Sequence, residues 1–349
     1  MHLQDLETPV AVVDLDRLAS NIKRLQTYLI EHGLANRPHI KTHKIPAIAK
    51  MQIEAGAAGI TCQKIGEAQV MADAGLTDIL LPYNILGESK LNRLMQLARR
   101  VNLSVTADSA PVVHGLSRAA QSASLTLTVL VECDMGGQRC GVQSPGEAAD
   151  LARLITQSPN LLFGGLMTYP NTEHLDDFVR ETRSALTVDR IPIEVVSGGG
   201  TKCMWQAHAH PELTEHRAGM YVYGDRHLML AGAMPLETIA FSVIATVVSR
   251  PTPDRGILDS GSKTLSSDLL GLEGHGYICE YPQARIYALS EEHAHVDFSA
   301  CERKPDIGER VTVLPNHCCP VTNLLDEVIG VRGDRVEVAW RVSARGKVK

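Results

Sequence analysis

Short apolar runs alternate along the first two thirds of the chain with segments whose apolar residues recur every three or four positions. The runs have the length of buried strands, and the periodic segments are typical of helices that bury one face. An opening strand is predicted at Ala11–Leu15, followed by a helix that starts near Asp16 and ends at Gly33. The same alternation then continues, which indicates repeated βα units.

Eight further strand candidates follow, and eight is the number that closes a parallel barrel. These strands are predicted at Arg37–Lys41, Gly59–Gln63, Asp78–Tyr83, Leu103–Asp108, Leu125–Asp134, Phe163–Tyr169, Glu194–Gly199 and Glu215–Val222. Helical patterns between them include Ile45–Ala55, Gly66–Ala74, Lys90–Arg100, Pro145–Ile155 and Leu175–Leu186. A doubly wound open sheet is the alternative, but it would require a glycine-rich dinucleotide turn after its first strand, and none is present there.

The pattern changes after about Met234, because long helical periods give way to short strands. These strands are predicted at Phe241–Val248, Gly256–Asp259, Ala284–Leu289, His295–Phe298, Arg310–Leu314, Glu327–Val331 and Arg335–Val342. The predicted fold is therefore α/β: a (β/α)8 barrel followed by a mostly antiparallel β domain. We expect residues 1–14 to join the β domain, residues 15–234 to form the barrel and residues 235–349 to form the β domain.

The charge balance argues against broad binding to nucleic acid or to membranes. The 349 residues carry 40 acidic and 34 basic side chains, which gives a formal net charge of −6. Eight cysteines occur without a regular framework, and Met1–Glu7 has no apolar run of the kind found in signal peptides. No stretch is apolar enough to span a membrane. We expect a cytoplasmic protein with free thiols.

The basic stretch R-P-H-I-K-T-H-K, Arg37–Lys44, ends the first predicted barrel strand and contains no acidic residue. A lysine at the end of a buried strand is costly unless it is paired or used. One use is a Schiff base with a carbonyl cofactor, because desolvation lowers the pKa of the amine and makes it nucleophilic. The alternative is a solvated basic loop.

Active residues of βα barrels lie at the C-terminal ends of the strands, and this rule selects four further candidates. Gln63 could bind a ring or substrate oxygen, or be an ordinary loop amide. Arg139 could face a ring atom or a carboxylate, or pair with Asp134 on the surface. Tyr169 could stack on a flat ring or only pack. Tyr83 lies where it could limit the room for a substrate.

The turn S-G-G-G-T, Ser197–Thr201, is a candidate phosphate site. Three glycines allow a ligand to approach the backbone closely, and N–H groups with two hydroxyls can hold an anion. Barrel phosphate sites often follow the seventh and eighth strands. A flexible tight turn is the alternative. We expect the histidines at 208, 210 and 216 to lie in a solvated loop.

The stretch L-P-N-H-C-C-P, Leu314–Pro320, is a candidate metal site at the end of a strand in the β domain. In an extended segment His317 and Cys319 point to the same side, and Cys318 points away. Imidazole and thiolate together suit zinc and other first-row divalent ions, with water or substrate completing the shell. The alternative is a buried imidazole beside two apolar-like thiols.

Taken jointly, these motifs, with T-C-Q-K-I-G-E-A and R-C-G-V, resemble the D-threonine aldolase and D-serine dehydratase family. The resemblance runs from about residue 7 to the end. It implies pyridoxal 5'-phosphate enzymes of the alanine racemase-like fold that act as homodimers. It also implies that Lys41, rather than Lys44, forms the Schiff base. The other implied site residues are Ser197, Gly199, Gly200 and Thr201 for the phosphate, Gln63, Arg139 and Tyr169 for the ring, and His317 and Cys319 for zinc or manganese.

The resemblance implies a substrate class, 3-hydroxy-D-amino acids, but two reactions. Cys319 is typical of the dehydratase members, which form a 2-oxo acid and ammonia, because aldolase members commonly have aspartate there. Q-K-I-G-E-A, D-S-G-S-K-T-L-S-S-D and V-S-A-R-G-K resemble the aldolase members instead, which release glycine and an aldehyde. We expect the aldolase reaction, with metal-bound hydroxide, His39 or His174 as the base. A racemase and a non-catalytic cofactor carrier are the remaining alternatives.

Overall fold

The computed structural model describes all 349 residues, and the chain divides into two units. Unit 1 comprises Met1–Lys23, Thr42–Ala47 and Met220–Arg345, and unit 2 comprises Arg24–Lys41, Ile48–Gly219 and Gly346–Lys349. These units are defined by contacts within the chain, so the predicted domain boundaries at residues 14 and 234 stay a prediction. None of the helices has the length and apolar character needed to cross a membrane.

Strands and helices alternate regularly only in the first part of the chain. The strands are β1 Val10–Asp14, β2 Ala35–Asn36, β3 Ile60–Thr61, β4 Asp78–Leu81, β5 Asn102–Ala107, β6 Leu127–Cys133, β7 Leu161–Thr168, β8 Val195–Gly199, β9 Glu215–Arg217, β10 Phe241–Ser249, β11 Arg255–Leu258, β12 Tyr277–Ile278, β13 Arg285–Leu289, β14 Ala294–Asp297, β15 Arg310–Leu314, β16 Glu327–Arg332 and β17 Arg335–Arg341. The helices are α1 Leu15–Glu31, α2 Pro46–Glu54, α3 Ile65–Asp73, α4 Glu88–Ala98, α5 Ala110–Ala123, α6 Pro145–Gln157, α7 Leu175–Leu186, α8 Arg226–Leu230, α9 Ser262–Leu265 and α10 Cys318–Leu324.

Unit 2 is built on eight parallel strands, which confirms the predicted barrel architecture. Their spatial order is β2-β9-β8-β7-β6-β5-β4-β3, and a parallel bridge between His39 and Thr61 joins the two edges. Each of β3 to β7 is followed in the chain by one of α3 to α7. The carboxyl ends of all eight strands therefore share one rim, where the predicted site residues follow them.

Local sequence explains where the barrel helices begin. Ser144 precedes α6, its hydroxyl accepts the N–H of Glu147 at 3.2 Å, and Pro145 occupies the first helical position. A proline there loses no hydrogen bond, and the serine satisfies a backbone donor that the helix leaves open. The buried face of α6 is apolar and carries Ala148, Ala149, Leu151, Ala152 and Ile155.

Unit 1 holds a mostly antiparallel sheet, as predicted. Its main path is β13-β14-β11-β10-β1-β16-β17, with β15 paired to β10 and to β12. The pairing of β1 with β16 is parallel, and the other pairings are antiparallel. Val12, Ile244, Ile329 and Val331 pack together across β1, β10 and β16 as one buried apolar cluster. Burial of such side chains is the main force that stabilises the sheet.

Two predicted segments are wrong in a way that affects the site. The first barrel strand ends at Asn36, and Ile40–Thr42 is a 3-10 turn, so Lys41 lies on a turn instead of ending a strand. The pairing continues only through His39, whose N–H donates to the Ala218 carbonyl at 2.9 Å. After this bond the chain leaves the sheet, and the lysine is carried on the turn that follows.

The metal motif is also not extended, because α10 begins at Cys318 with His317 immediately before it. Pro320 is the third residue of this helix, where its missing N–H costs no hydrogen bond. The argument from alternating strand positions therefore does not apply to His317 and Cys319.

His216 lies in β9 and is fully buried, so the predicted solvated loop is wrong at this position. Its Nε2 donates to the Gly200 carbonyl at 3.2 Å. Burial, with the charge of Arg217 as the next cause, lowers the pKa of the imidazole to about 4. The ring is therefore neutral in the folded protein at neutral pH.

The buried His216 makes stability depend on pH. In the unfolded chain the imidazole has its ordinary pKa of 6.5, so between pH 6.5 and about 4 the unfolded state binds a proton that the native state does not. Stability from this group is complete above pH 6.5 and falls as the pH falls, by at most about 3 kcal/mol. We expect His216→Gln to flatten the decline of the denaturation midpoint between pH 7 and pH 4. Equal declines in both proteins would contradict this.

Candidate active site

The ring of Tyr169, which directly follows β7, brings together three groups that the sequence singled out. The Lys41 Nζ lies 5.9 Å from the ring centroid, and the Arg139 Cζ lies 5.1 Å from it. A Cβ built on Gly200 would lie 3.9 Å from the ring. Tyr169 is 45% exposed. An amine, a guanidinium and the glycine turn thus converge on one accessible aromatic ring.

The loop that carries Arg139 is shaped by Asp134. This carboxylate accepts the N–H groups of Gly136, Gln138 and Arg139 at 3.0, 3.1 and 3.2 Å. Asp134 therefore binds the backbone of Arg139, whereas the alternative interpretation was a surface pairing with its side chain. The guanidinium instead lies 3.6 Å from the buried carboxylate of Glu132. Glu132 thus fixes the charged end of Arg139 while its plane lies over Tyr169.

His39 and Gln63 form a hydrogen-bonded pair beside the turn of Lys41. The His39 Nε2 lies 3.1 Å from the Gln63 Oε1, and the Lys41 backbone N–H donates to the His39 Nδ1 at 3.4 Å. Because Nδ1 accepts, Nε2 carries the proton and donates it to the amide oxygen. Burial lowers the pKa of His39 well below its usual value, and the charges of Lys41, Arg217 and Arg139 lower it further. The imidazole is neutral at neutral pH.

The glycine turn is held by Asn171, which sequence reasoning missed. Asn171 donates its N–H to the Gly199 carbonyl at 3.0 Å and accepts the Gly199 N–H on Oδ1 at 2.7 Å. Its amide nitrogen is buried without a hydrogen-bond partner. Gly200 has a φ of +126°, which only glycine adopts readily. The Thr201 hydroxyl accepts the Gly219 N–H at 3.3 Å.

A buried chain of charged and polar groups runs beneath the turn. Arg217 donates to the Ser197 hydroxyl at 2.6 Å and to the Thr168 carbonyl at 2.8 Å. Ser197 donates to Glu215 at 2.5 Å, and Glu215 also accepts from Arg37 at 2.6 Å. Burial lowers the pKa of the Arg217 guanidinium to about 10, although Glu215 opposes the shift, so the group stays charged at neutral pH. Sequence reasoning missed Arg217.

His317 and Cys319 interact with each other in unit 1. Burial favours a neutral imidazole, but hydrogen bonding and charge from Cys319 outweigh it and raise the pKa of His317 to about 9. The pKa of the Cys319 thiol is lowered well below its usual value by hydrogen bonds from Cys318, His317 and Thr42. Its Sγ lies 3.3 Å from the Thr42 Oγ1. The pair is thus an imidazolium beside a thiolate.

The partners around this pair fix its geometry. The His317 Nδ1 lies 2.7 Å from the Asp268 Oδ2. Asp225, which is fully buried, accepts the Cys318 N–H at 3.1 Å. The Tyr223 hydroxyl is buried without a hydrogen-bond partner, and its pKa is raised by burial and then by Cys318 and Cys319. Once the imidazolium releases one ring proton, the pair becomes a neutral imidazole beside a thiolate, a donor set that suits zinc, so these residues fit a divalent ion.

Two other candidate residues, His174 and Tyr83, have different neighbours within unit 2. The His174 side chain is 71% exposed and lies 3.8 Å from Glu173. The Lys64 Nζ lies 4.6 Å from the ring centroid of Tyr83, whose hydroxyl is buried without a partner. Neither residue contacts the Tyr169 ring in a described interaction.

Comparison with known proteins identifies the family. The family model described as alanine racemase, N-terminal domain, matches residues 13–227, and the putative serine dehydratase domain matches residues 240–331. The chain is 34% identical to D-threonine aldolase from an Arthrobacter species, over 99% of this chain and 94% of the relative. It is 32% identical to D-threo-3-hydroxyaspartate dehydratase from a Delftia species, over 91% and 92%.

The fold comparison agrees with the sequence comparison. The crystal structure of D-threonine aldolase from Filomicrobium marinum matches with a TM-score of 0.90 at 32% identity, over 99% of this chain and 97% of that one. Alanine racemase from Clostridium difficile matches with a TM-score of 0.73 at 13% identity, which shows the shared fold alone. The chain therefore belongs to the D-threonine aldolase and D-serine dehydratase family, which has the alanine racemase-like fold.

Proposed function

We propose that the protein is a lyase dependent on pyridoxal 5'-phosphate and a divalent metal, which cleaves 3-hydroxy-D-amino acids to glycine and an aldehyde. The observation that carries this proposal is the convergence of Lys41, Arg139 and the glycine turn on the Tyr169 ring. The similarity to aldolases and dehydratases named for such substrates supports the substrate class. When bound, the cofactor withdraws electrons from the substrate's α-carbon, and the metal lowers the pKa of its β-hydroxyl.

Lys41 is the proposed attachment point of the cofactor. Its amine lies 5.9 Å from the centroid of the Tyr169 ring, and the short 3-10 turn fixes its backbone. Arg139 places a second cation on the same ring. Gln63, held by His39, offers an amide to the ring of the cofactor. These four side chains would bind and orient a flat, polar ring.

The proposed phosphate cradle consists of Ser197, Gly199, Gly200 and Thr201. A Cβ at Gly199 would lie 3.1 Å from the Arg217 carbonyl, and one at Gly200 would lie 3.0 Å from the Cys203 sulfur, so the turn leaves no room for side chains. Ser197 donates its only proton to Glu215. This hydroxyl would have to exchange that bond to donate to a phosphate. We add Asn171, whose buried amide nitrogen has no partner and could donate to it.

His317 and Cys319 are the proposed ligands of zinc or manganese. The structure contains no group of three or more His, Cys, Asp or Glu side chains arranged to hold a metal ion. Two protein ligands leave positions for water and for the substrate hydroxyl, as a catalytic metal requires. Thr42, which contacts Cys319, directly follows Lys41 in the chain.

We propose His39 as the group that accepts the proton from the substrate's β-hydroxyl, at Nδ1, which would have to exchange its 3.4 Å hydrogen bond from the Lys41 N–H. Only a neutral imidazole can accept a proton, and burial with three neighbouring cations keeps this ring neutral. The exposed His174 offers no comparable environment. Dehydration to a 2-oxo acid and ammonia remains the second candidate reaction. The proposed second metal ligand is Cys319, and the family resemblance associates cysteine at this position with the dehydratase members.

We also propose a homodimer in a reducing cytoplasm, as the family resemblance implies. The eight cysteines are free thiols, and a reducing compartment would keep them so. The proposed partner set is otherwise limited to small molecules, without nucleic acid or membrane.

The reaction is tested by product analysis. The pure holoenzyme is incubated with D-threonine and, separately, with D-serine, and glycine, aldehyde, 2-oxo acid and ammonia are measured. We expect glycine and acetaldehyde in equal amounts from D-threonine. Ammonia and a 2-oxo acid without glycine would identify a dehydratase and contradict the aldolase assignment. No turnover of any D-amino acid would favour a cofactor carrier.

The cofactor attachment is tested by comparing two neighbouring lysines. Lys41→Ala should abolish the visible absorbance band of the lysine-bound cofactor, because it removes the amine that forms the bond. Lys44→Ala is the matched control and should keep the band, since the Lys44 Nζ donates to Asn323 at 2.7 Å instead. An unchanged spectrum in the Lys41 variant, or loss of the band in the control alone, would show that the lysine is misassigned.

The role of Asn171 is tested by changing only its amide group. Asn171→Asp keeps an acceptor for the Gly199 N–H but places negative charge beside the phosphate, so we expect pyridoxal 5'-phosphate to bind at least about tenfold more weakly. Affinity for pyridoxal, which lacks the phosphate, should not change. Asn160→Asp, at the opposite end of β7, is the control. Equal weakening for both ligands would show that Asn171 only supports the turn.

A further inference from the structure

We propose that Asp268 is a positioning residue that fixes the orientation and tautomer of His317, so that Nε2 is the nitrogen presented to a divalent ion. This inference rests on the metal site proposed above. Asp268 closes the stretch D-S-G-S-K-T-L-S-S-D, to which the proposed function gave no role.

The hydrogen bond determines which nitrogen of His317 is available. The Nδ1 lies 2.7 Å from the Asp268 Oδ2. At this distance the two atoms share a hydrogen bond, in which a carboxylate oxygen accepts and an imidazole N–H donates. Nδ1 must therefore carry a proton. In the neutral ring that binds a metal, the lone pair is then on Nε2.

The carboxylate is itself held on both oxygens. While Oδ2 accepts from His317, Oδ1 accepts the Leu270 N–H at 3.0 Å. The Asp268 N–H donates to the Ser266 hydroxyl at 3.1 Å. Ser266 and Leu270 both have positive φ, at +65° and +48°. Such backbone angles are unfavourable for residues other than glycine and persist only where the surroundings enforce them. The loop is thus shaped to present this carboxylate.

Cys319, the other proposed metal ligand, is also held by neighbouring groups. The Cys319 thiol contacts the Thr42 hydroxyl at 3.3 Å, and the preceding backbone N–H is bound by the buried Asp225. Each proposed ligand therefore has an outer partner that fixes its direction. Outer partners of this kind orient metal ligands, and removing one typically weakens metal binding about 10- to 100-fold.

The chain provides a matched control in a second histidine–aspartate pair. The His2 Nδ1 lies 3.2 Å from the Asp334 Oδ2, and these side chains are 57% and 83% exposed. No cysteine takes part in this pair in a described contact. Removing Asp334 deletes the same kind of hydrogen bond without touching the proposed metal ligands.

The experiment measures zinc and manganese dissociation constants by competition with a chromophoric chelator, in the cofactor-loaded protein. Asp268→Ala should raise both constants about 10- to 100-fold, because His317 loses its orienting acceptor. Asp268→Asn, which retains an uncharged acceptor, should give a smaller increase. Asp334→Ala should bind metal like the unchanged protein. The cofactor dissociation constant and the melting temperature should stay the same in all variants.

Several outcomes would overturn the inference. If His317→Ala abolishes metal binding while Asp268→Ala has no effect, the positioning role is wrong and the metal site stands. If Asp268→Ala abolishes binding as completely as His317→Ala, the carboxylate is a ligand. Parallel losses of cofactor affinity and melting temperature would indicate a structural role. Unchanged metal binding in both His317→Ala and Cys319→Ala would instead reject the proposed metal site.

Discussion

The polar interior of unit 2 depends on the guanidinium of Arg217, which is almost completely buried. Burying a charge in this way is costly unless the charge is paired and its donors are satisfied. Arg217 meets both conditions through Ser197, the Thr168 carbonyl and the nearby carboxylates of Glu215 and Glu132. Because β8 and β9 pair in register at Ser197 and Glu215, these partners lie side by side on one face of the sheet. The network is therefore a direct product of strand pairing.

The same buried charge affects the chemistry above it. Its field, with those of Lys41 and Arg139, adds to burial in keeping the His39 ring neutral. The Arg217 charge acts strongly because it is buried and little solvent screens it. A region with several fixed positive groups is suited to an anionic cofactor and to substrates with carboxylates. This electrostatic character is built into the barrel strands and loops before any ligand binds.

Much of the barrel side of the site was predictable because strand ends converge on one rim. Lys41, Arg139, Tyr169 and the glycine turn were selected by that rule, and the structure brings them together. Arg217 was missed because the predicted strand Glu215–Val222 placed it inside a strand, whereas β9 ends at this residue. The strand-end rule would have selected it if the short length of β9 had been recognised.

Other partners could not be predicted because they are distant in sequence. Asn171 and Gly199 are 28 positions apart, and Asp268 and His317 are 49 apart. No local pattern reports such pairings. His317 and Cys319 were paired by an argument from extended geometry that is wrong. They interact because His317 immediately precedes α10 and Cys319 is its second residue, so both side chains lie at the N-terminal end of this helix.

The placement of Cys319 within the first turn of α10 has a consequence for how the family can change. The first N–H groups of a helix lack internal partners and favour a nearby anion, whether it is a thiolate or a carboxylate. At the proposed metal site, a soft sulfur ligand and a hard oxygen ligand could therefore exchange at this position without altering the backbone. Such an exchange would change which ion the proposed site prefers while the architecture stayed constant.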